Sequence, residues 1–502
     1  MSVKLYDPPV RMENWVVPAA KAVLIPETED SIPFNAAKKQ GEPLDLGSLG
    51  FLEEEYLISG ESHVYQLGPT RADNTYVKAF GAPYTDRILV RKPQDPKAFS
   101  GHVVIEIMNS AFGMDNPEAG WGALHPYILS RGDAWVGMTI NSLLFPALKK
   151  YDEKRYGALS AVNPIPEEKR GKVSRAYGLV TDPNVEKGLL YDALSETAQL
   201  IRSGSDDSPF KGYDVRFIYA TGATPGDLTT YAGFVHNYAK QANGKPVFDG
   251  FQIYMTGAPA NLNNEEWNVL VPDPRVIIDS CVPTFRVLTM GDMLGFGGHP
   301  DWSVMQRKDD TDDPVYRIYE VAGAPLGIRG DVDTMMNKAD CDAIGARWFN
   351  KKARLPYHAY PTQYILRSCF DNLKKYCEFG ILPPKADRLR VTGTYPEMDY
   401  EYDELGNVLG GIRSNYVDVP IAHYLPDGHI EPFNKEKLRE LYGTHANYMK
   451  KVSASCLRQM KDRFMLPEDL AEQLELSMSF NIDDDELMDR LTKEGAEGTY
   501  GM

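Results

Sequence analysis

The stretch Arg216–Phe234, RFIYATGATPGDLTTYAGF, decides the fold. An apolar run leads into a corner flanked by Gly222 and Gly226, and apolar residues at helical spacing follow the corner. Glycines are needed at such a corner because the strand and the helix that it joins approach each other closely. The spacing fits the G-x-S-x-G frame of a nucleophile elbow, with Thr224 in the position of the serine.

The sequence on both sides of this corner alternates between strand and helix patterns. Nearly continuous apolar runs are typical of parallel strands that are covered on both faces. The alternation therefore predicts an α/β protein with a mostly parallel, doubly wound sheet and right-handed connections. The predicted strands are 56–65, 84–90, 102–108, 134–140, 215–220, one at Leu288 and 315–321, and the predicted helices are 121–131, 188–201 and 228–238.

Composition and patterning predict one large domain made of four segments. Residues before about 50 are rich in proline and polar side chains, which is typical of chain that wraps over a surface. After about residue 330 the strand–helix alternation stops, and aromatic-containing helical segments such as 354–379 follow. The segments are 1–50, the N-terminal surface wrap; 51–330, the α/β core; 331–434, a helical insertion or cap and a returning segment; and 435–502, amphipathic C-terminal helices with a break at Pro467.

Charge and cysteine usage exclude several classes of protein. The formal net charge of −17 would repel a polyanion, so we exclude nucleic acid as the main partner. The five cysteines show no CxxC spacing and are expected to be reduced thiols. Neither a leader peptide nor a membrane span is recognisable, and a cytoplasmic protein is expected. No phosphate loop, metal cluster or dinucleotide fingerprint is present, so no cofactor and no metal are expected.

Six segments together resemble the α/β-hydrolase-domain family of long bacterial proteins. Any one of them alone is a weak signal, but the set extends over most of the chain. The resemblance implies an α/β-hydrolase fold with a helical insertion and a C-terminal helical extension. The segments are VVIEIMNSAFGMD (103–115), RGDAWVGMTIN (131–141), YDEKRYGAL (151–159), GLLYDALS (188–195), YEVAGAP (319–325) and GGIRSNYVDVP (410–420).

The resemblance also implies where a catalytic triad should stand. In the family, the nucleophile is the serine of the elbow, an acid follows a later strand, and a histidine follows a segment like YEVAG. By position, the nucleophile falls on Thr224 and the two acidic positions fall on Met290 and Asp292. The histidine falls near Leu326. Only Asp292 keeps the expected chemical type, which indicates a divergent member with a degenerate triad.

The residues at the corner argue against a conventional serine esterase. Thr224 is β-branched and fits poorly into the strained backbone of an elbow. The backbone N–H after the nucleophile normally belongs to the oxyanion hole, and Pro225 has none. Loss of one such donor typically costs about 3 to 4 kcal/mol of transition-state stabilisation. Without a base near Leu326, the Thr224 hydroxyl would stay protonated. Ala223, Pro225 and Leu326 are expected to lie in the oxyanion region of the pocket.

Other histidines could supply a relocated base. His299 follows the acid region and is our candidate, and His423 is a second one. A lone histidine is more often structural, so that alternative stays open for both. We interpret His125 and His236, which lie on predicted helices, as structural.

Three further polar positions attract interest. Asp292 is either a surviving triad acid or a cap on the following turn, since aspartate is favoured at both kinds of site. Glu106 lies within an apolar strand, where a carboxylate needs partners, and we favour a structural hydrogen-bonding role. Asn109 and Ser110 follow the same strand and are expected to line a small-molecule pocket.

Three functions remain open from the sequence. The first is an enzyme that acts on a small organic molecule with a non-standard site. The second is a threonine-dependent ester hydrolase with a relocated histidine, and the third is a catalytically silent binding or assembly subunit. We expect a small-molecule ligand or substrate as the partner, and neither nucleic acid nor a membrane. The oligomeric state, including a homo-oligomer, is left open.

Overall fold

The structure is a computed structural model that falls into two compact units. The first comprises Met1–Thr284 and Val332–Phe349, and the second comprises Phe285–Asp331 and Asn350–Met502. The predicted boundaries at residues 50, 330 and 434 stay predictions. The residues described are 3–68, 75–110, 113–172, 182–223, 226–255, 261–265, 279–293, 309–324, 337–346, 362–394, 397–426 and 430–490.

The secondary structure follows the chain in this order. The strands are β1 (Lys4–Arg11), β2 (Trp15–Val16), β3 (Lys21–Ile25), β4 (Phe51–Leu67), β5 (Thr75–Pro93), β6 (His102–Ile107), β7 (Ala134–Met138), β8 (Phe217–Gly222), β9 (Ala239–Lys240), β10 (Gly250–Tyr254), β11 (Thr284–Thr289), β12 (Thr311–Asp312), β13 (Val315–Val321), β14 (Val391–Thr394), β15 (Glu397–Tyr400), β16 (Ala422–Tyr424) and β17 (Ile430–Pro432). The helices are α1 (Ala123–Arg131), α2 (Phe145–Tyr151), α3 (Glu153–Tyr156), α4 (Leu189–Ser203), α5 (Asp227–Thr230), α6 (Met290–Met293), α7 (Lys338–Ile344), α8 (Thr362–Phe379), α9 (Asn415–Asp418), α10 (Lys435–Tyr442), α11 (His445–Lys461) and α12 (Pro467–Ser479).

The first unit is built on a mixed sheet with parallel strands at its centre. Its strands lie in the order β10-β8-β6-β7-β5-β4-β3, and β1 pairs with β5. β6 pairs in parallel with β7 and β8, and β8 pairs in parallel with β10. β6, β7 and β10 are buried along their whole length, as the continuous apolar runs of β6 and β7 predict. β10 was not among the predicted strands. The predicted α/β class with a large, mostly parallel sheet is confirmed.

The N-terminal segment adds strands to this sheet. β3 pairs antiparallel with β4, from Lys21 opposite Ser59 to Ile25 opposite Glu55. β1 pairs antiparallel with β5, and most of its residues are exposed. Proline is tolerated on an edge strand because it removes only a solvent-facing donor. Pro8 and Pro9 within β1 therefore hid this strand from the sequence analysis, which expected a surface wrap.

The helices predicted around the central strands are present, with one difference in length. α1 ends at Gly132, which adopts a left-handed conformation with φ of 69°, as the Arg131-Gly132 pair predicts. α4 covers the predicted helix at 188–201 and is largely buried. The helix predicted at 228–238 is wrong in its extent. Only α5 is α-helical, and a π-helical turn, Tyr231–Val235, follows it.

A network of buried charges lies within the first unit. The Arg87 guanidinium is fully buried and contacts Glu55 Oε1 at 2.6 Å and Asp115 Oδ2 at 3.0 Å. Arg155 Nε donates to the other oxygen of Glu55, Oε2, at 2.5 Å. Because each charge has a partner of opposite sign, the network offsets the cost of removing these groups from water.

The second unit contains β11 to β17, α6 and α8 to α12. The long helix α8 covers most of the helical segment predicted at 354–379, and all of its residues from Tyr364 to Lys374 are buried. β14 pairs with β15, and β16 pairs with β17, as antiparallel ribbons that the sequence analysis did not predict. Pro467 stands at the first position of α12, so the predicted break is the start of a helix.

Among the described helices, none combines the length and the apolar character that crossing a membrane requires.

Candidate functional site

The predicted strand-to-helix corner is present at the end of β8. β8 ends at Gly222, Ala223 is buried, and α5 begins at Asp227. Gly226 has φ of 97°, a conformation that favours glycine. A Cβ on Gly222 would lie 3.2 Å from the backbone oxygen of Ile107 on β6. Backbone geometry and close packing thus account for both glycines. Thr224 and Pro225 lie outside the described residues.

Asn109 and Ser110 follow β6, beside the corner, and both are buried. Asn109 Nδ2 donates to Glu118 Oε2 at 2.8 Å, and its backbone pairs with that of Asn116. Ser110 Oγ accepts a hydrogen bond from Asn141 Nδ2 at 2.9 Å. These side chains are held by protein partners, which fixes the turn after the strand. Their predicted role as lining of a ligand pocket stays a prediction.

Asp292 caps the short helix that follows β11. Its Oδ2 accepts hydrogen bonds from Thr289 N at 2.7 Å and from Thr289 Oγ1 at 2.9 Å. Its own backbone N–H donates back to Thr289 Oγ1 at 3.1 Å. This reciprocal arrangement is a capping box, so the cap that the sequence left as one of two alternatives is the geometry observed. Met290, at the other acidic position, is fully buried.

The described histidines have different partners, and one of them, His63, places its Nδ1 2.6 Å from Asp192 Oδ2. His299 and Leu326 lie outside the described residues. His423 Nδ1 lies 3.2 Å from Glu431 Oε2 across the ribbon of β16 and β17. His125 Nδ1 donates to the backbone oxygen of Trp121 at 2.9 Å within its helix. Burial lowers the pKa of His236 to about 3, so this ring is neutral, and its Nε2 accepts from Phe248 N at 3.3 Å. These contacts give His125 and His236 structural roles.

Glu106 has the structural hydrogen-bonding role that the sequence favoured. Its carboxylate accepts bonds from Gly120 N at 2.7 Å, Trp121 N at 2.8 Å and Trp135 Nε1 at 2.8 Å. Burial raises the pKa of Glu106 to about 7, although the three hydrogen-bond donors act in the opposite direction and lower it. The side chain ties β6 to the π-helical turn before α1 and to β7.

A polar cluster that the sequence analysis missed adjoins the corner. Asp227, the first residue of α5, is buried, and its Oδ1 lies 3.0 Å from the Tyr191 hydroxyl. Lys187 Nζ lies 3.6 Å from the same oxygen. Burial and the Asp227 carboxylate raise the pKa of Tyr191 well above its ordinary value, so the phenol stays a donor. Lys187, Tyr191 and Asp227 are called the corner cluster below.

Glu186 precedes the corner cluster and reaches a small polar cavity. Its Oε1 accepts from Gly188 N at 2.9 Å and from Asn264 N at 3.1 Å. Its Oε2 has no hydrogen-bond partner among the residues described. Burial raises the pKa of Glu186 to about 7. The cavity has a volume of about 10 Å³, which is room for about one water molecule. It is lined by Val64, Lys78, Asn163, Ile165, Arg170, Gly171, Glu186, Asn263, Asn264 and Glu265.

The sheet brings these groups to one edge. β8 and β10 are parallel neighbours, so the corner after β8 and the segment 261–265 after β10 follow strand ends on the same side. Lys187 N donates to Asn264 Oδ1 at 3.2 Å, and the Tyr191 hydroxyl also lies 3.0 Å from the Asn261 backbone oxygen. The contacts fix the start of α4 against this edge. A carboxyl group that titrates near neutral pH, a phenol and an ammonium group can together move protons and stabilise negative charge.

One sequence signal pointed to this cluster. Asp227 directly follows the glycine that closes the elbow frame, at the start of a helix where acidic side chains are favoured. The partners of Asp227 could not be found in the same way. Lys187 and Tyr191 precede it by 40 and 36 residues in the numbering, and only the packing of α4 against the sheet brings them together.

The family of the chain follows from a comparison with family models. The model described as "Alpha/beta hydrolase domain" matches residues 16–475. The chain belongs to the alpha/beta hydrolase domain family. The resemblance inferred from six sequence segments is therefore confirmed, and the α/β-hydrolase fold with it. No curated protein sequence matches this alpha/beta hydrolase family member.

Solved structures of hydrolases match parts of the chain at low identity. Esterase 2 of Thermogutta terrifontis, phosphonylated by sarin, is 13% identical, with 52% of this chain and 87% of that chain covered and a TM-score of 0.28. A cold-adapted esterase from an Arctic intertidal metagenomic library is 8% identical, with 58% and 94% covered and a TM-score of 0.27. Prolyl oligopeptidase B of Galerina marginata is 10% identical, with 59% and 44% covered and a TM-score of 0.27. These matches assign no substrate to this chain.

Proposed function

We propose that this alpha/beta hydrolase family member is an enzyme that acts on a small organic molecule by general acid–base catalysis, without a covalent enzyme intermediate. Glu186 is the proposed acid or base, and the corner cluster of Lys187, Tyr191 and Asp227 binds and polarises the substrate. The observation that carries the proposal is the Oε2 of Glu186, which has no hydrogen-bond partner among the described residues and belongs to a carboxyl group with a pKa of about 7 at a small polar cavity.

The positions of the family triad support a departure from serine chemistry. Asp292 is engaged with Thr289 in a helix cap, and Met290 fills the second acidic position. Pro225 has no N–H to offer to an oxyanion. A threonine without an activating base is a weak nucleophile at neutral pH. Each feature weakens a different part of the acyl-enzyme mechanism.

Glu186 has the properties of a proton-transfer group. A general acid or base is most effective when its pKa lies near the working pH, and such a group typically contributes about 100- to 10,000-fold in rate. One oxygen of Glu186 is fixed by two backbone donors, which orients the carboxyl group. Lys187 supplies a positive charge within the same stretch of chain, whereas the one proton of the Tyr191 hydroxyl is engaged by the Asp227 carboxylate and the Asn261 backbone oxygen. Lys187 could stabilise an oxyanion in place of the missing backbone donor.

The corner cluster also has a purely structural interpretation. The negative charge of Asp227 is stabilising at the N-terminus of α5, and the Glu186 carboxylate fixes the start of α4 by accepting hydrogen bonds from backbone N–H groups. Gly222 is explained by its close approach to β6. A catalytically silent subunit would keep all of these contacts. Only a measurement of turnover separates the two interpretations.

The experiment compares two variants on a panel of activated esters and lactones and on a fluorophosphonate. Product release and intact mass are recorded for wild type, Glu186→Gln and Thr224→Ala, with thermal melting as a check of folding. We expect turnover that falls by at least about 100-fold in Glu186→Gln and changes by less than about threefold in Thr224→Ala. No fluorophosphonate adduct should form on any of the three proteins.

Two outcomes would overturn this proposal. A covalent adduct or turnover that disappears in Thr224→Ala would establish the threonine-dependent hydrolase. Wild-type protein without turnover of any substrate and without an adduct would favour the silent binding subunit. Asp292→Asn serves as a matched control, because this carboxylate belongs to a cap and its loss should leave turnover within about threefold of wild type.

A further inference from the structure

A basic cleft lies within the second unit. Its volume is about 620 Å³, and its walls come from three stretches of chain, 384–387, 411–413 and the region around the end of α11. Five basic and three acidic side chains line it, so it carries two positive charges in a chain whose formal net charge is −17. The charged lining residues are Lys385, Asp387, Arg413, Asp418, Arg458, Lys461, Asp462 and Arg463.

The walls of this basic cleft are fixed by hydrogen bonds to the strand β13 and its surroundings. The Tyr319 hydroxyl donates to the Pro384 backbone oxygen at 2.7 Å. Ile412 N donates to the Glu320 backbone oxygen at 2.7 Å, and Asn372 Nδ2 on α8 donates to the Arg463 backbone oxygen at 2.9 Å. Each wall is thus anchored separately, and the basic cleft is preorganised.

Part of the positive charge is already neutralised inside the cleft. Asp418 accepts a bond from Arg413 Nε at 2.6 Å on Oδ1, and Arg458 contacts its Oδ2. Cations near the end of a helix are also favoured by the helix dipole, which accounts for Arg458 and Lys461 without a ligand. These effects leave Arg463 as the group that needs a further explanation.

Of the two terminal nitrogens of the Arg463 guanidinium, only one has a hydrogen-bond partner among the described residues. Its Nη1 donates to the Leu382 backbone oxygen at 2.9 Å, while its Nη2 is buried and has no hydrogen-bond partner in the part of the chain described. The backbone of Arg463 has φ of 65°, a conformation that is uncommon for residues other than glycine. A buried donor without an acceptor is unfavourable. A bound anion that draws the guanidinium toward the cleft would supply that acceptor.

Lys461 lies two residues before Arg463 and faces the same cleft. It is exposed and makes no hydrogen bond or ion pair with the residues described. Guanidinium groups match the oxygens of carboxylates and phosphates, and an ammonium group adds a mobile point charge. The two side chains therefore provide complementary recognition of an oxyanion.

We propose that the basic cleft binds a small organic anion with a carboxylate or phosphate group, held by Arg463 and Lys461. The volume exceeds what a bare inorganic ion needs, so the anionic group is expected to be part of a larger molecule. This site belongs to the second unit, and its assignment does not depend on the catalytic proposal for the first unit.

Isothermal titration with inorganic phosphate and with citrate, each at an ionic strength matched with sodium chloride, tests the proposal. We expect saturable binding of at least one probe. Lys461→Gln should weaken it about threefold, as for an exposed charge. Arg463→Gln should weaken it about tenfold or more, as for a hydrogen bond to a charged group. The preferred probe distinguishes phosphate from carboxylate recognition.

Lys450→Gln is the matched control, because Lys450 is exposed on the same helix, α11, and does not line the cleft. It should leave binding of either probe unchanged. Absence of saturable binding for both probes, or equal weakening by Lys450→Gln and Lys461→Gln, would overturn the proposal. If Arg463→Gln fails to fold, the comparison of Lys450→Gln with Lys461→Gln still tests whether the basic cleft binds the anion.

Discussion

Asp292 accepts two hydrogen bonds from Thr289, at 2.7 Å from the backbone nitrogen and at 2.9 Å from Oγ1. The only acidic residue at a triad position is thereby turned toward the end of its own strand. The same two residues close a capping box through the backbone N–H of Asp292. The contact gives Asp292 a structural role at the start of α6.

The first prediction concerns this cap. Asp292→Ala removes the acceptor of both bonds and should lower the free energy of unfolding by about 1 kcal/mol, whereas Asp292→Asn keeps an oxygen acceptor and should cost less. Chemical denaturation of the two variants measures the difference. Equal losses of stability in both variants would show that the carboxylate charge, and not the acceptor, is what matters here.

The second prediction concerns the buried Arg87. Arg87→Met would leave Asp115 without its guanidinium partner and Glu55 with that of Arg155 alone, and breaking a buried pair from one side typically costs about 3 to 5 kcal/mol. Urea denaturation should show a loss of this size. Lys38→Met is the control, because Lys38 and Glu27 form an exposed pair whose loss should cost less than about 1 kcal/mol. Similar losses in both variants would contradict the network.

The third prediction concerns the pH dependence of stability. Burial raises the pKa of Glu196 to about 9 from an ordinary value of 4.5, and the Tyr84 hydroxyl donates to its Oε2 at 2.6 Å. Above pH 4.5 the unfolded chain loses a proton that the folded protein keeps. The free energy of unfolding must therefore fall as the pH rises from about 4.5 to 9, by up to about 1.4 kcal/mol per pH unit.

Glu196→Gln isolates this contribution, because glutamine is uncharged and can still accept from Tyr84. The variant should be little changed at pH 5 and should become progressively more stable than wild type toward pH 9. Thermal melting at several pH values measures the difference. A difference that is constant with pH would mean that Glu196 ionises alike in the folded and unfolded states.

The fold could be predicted from the sequence where burial imposes a pattern. β6 and β7 are continuous apolar runs because both of their faces are covered, and α1 ends at a glycine because its last turn needs a left-handed residue. The edge strand β1 was missed because exposed residues and two prolines carry no such pattern. The ribbons β14–β15 and β16–β17 were missed for a related reason, since they are short and partly exposed.

The site was less accessible to sequence analysis than the fold. The glycine frame around Thr224 located the corner, and the cap that was one of two alternatives for Asp292 is present. The corner cluster depends on side chains from α4 and α5 that meet only in the folded protein. The raised pKa of Glu186 likewise comes from burial, which a single sequence does not specify.

The most direct test of acid–base catalysis by Glu186 is the pH dependence of turnover, measured on whichever substrate the panel identifies. We expect an ionisation near pH 7 in the wild-type rate that is absent from the residual rate of Glu186→Gln and retained in Thr224→Ala. A profile that keeps its ionisation near pH 7 in Glu186→Gln, or that loses it in Thr224→Ala, would contradict the assignment of Glu186.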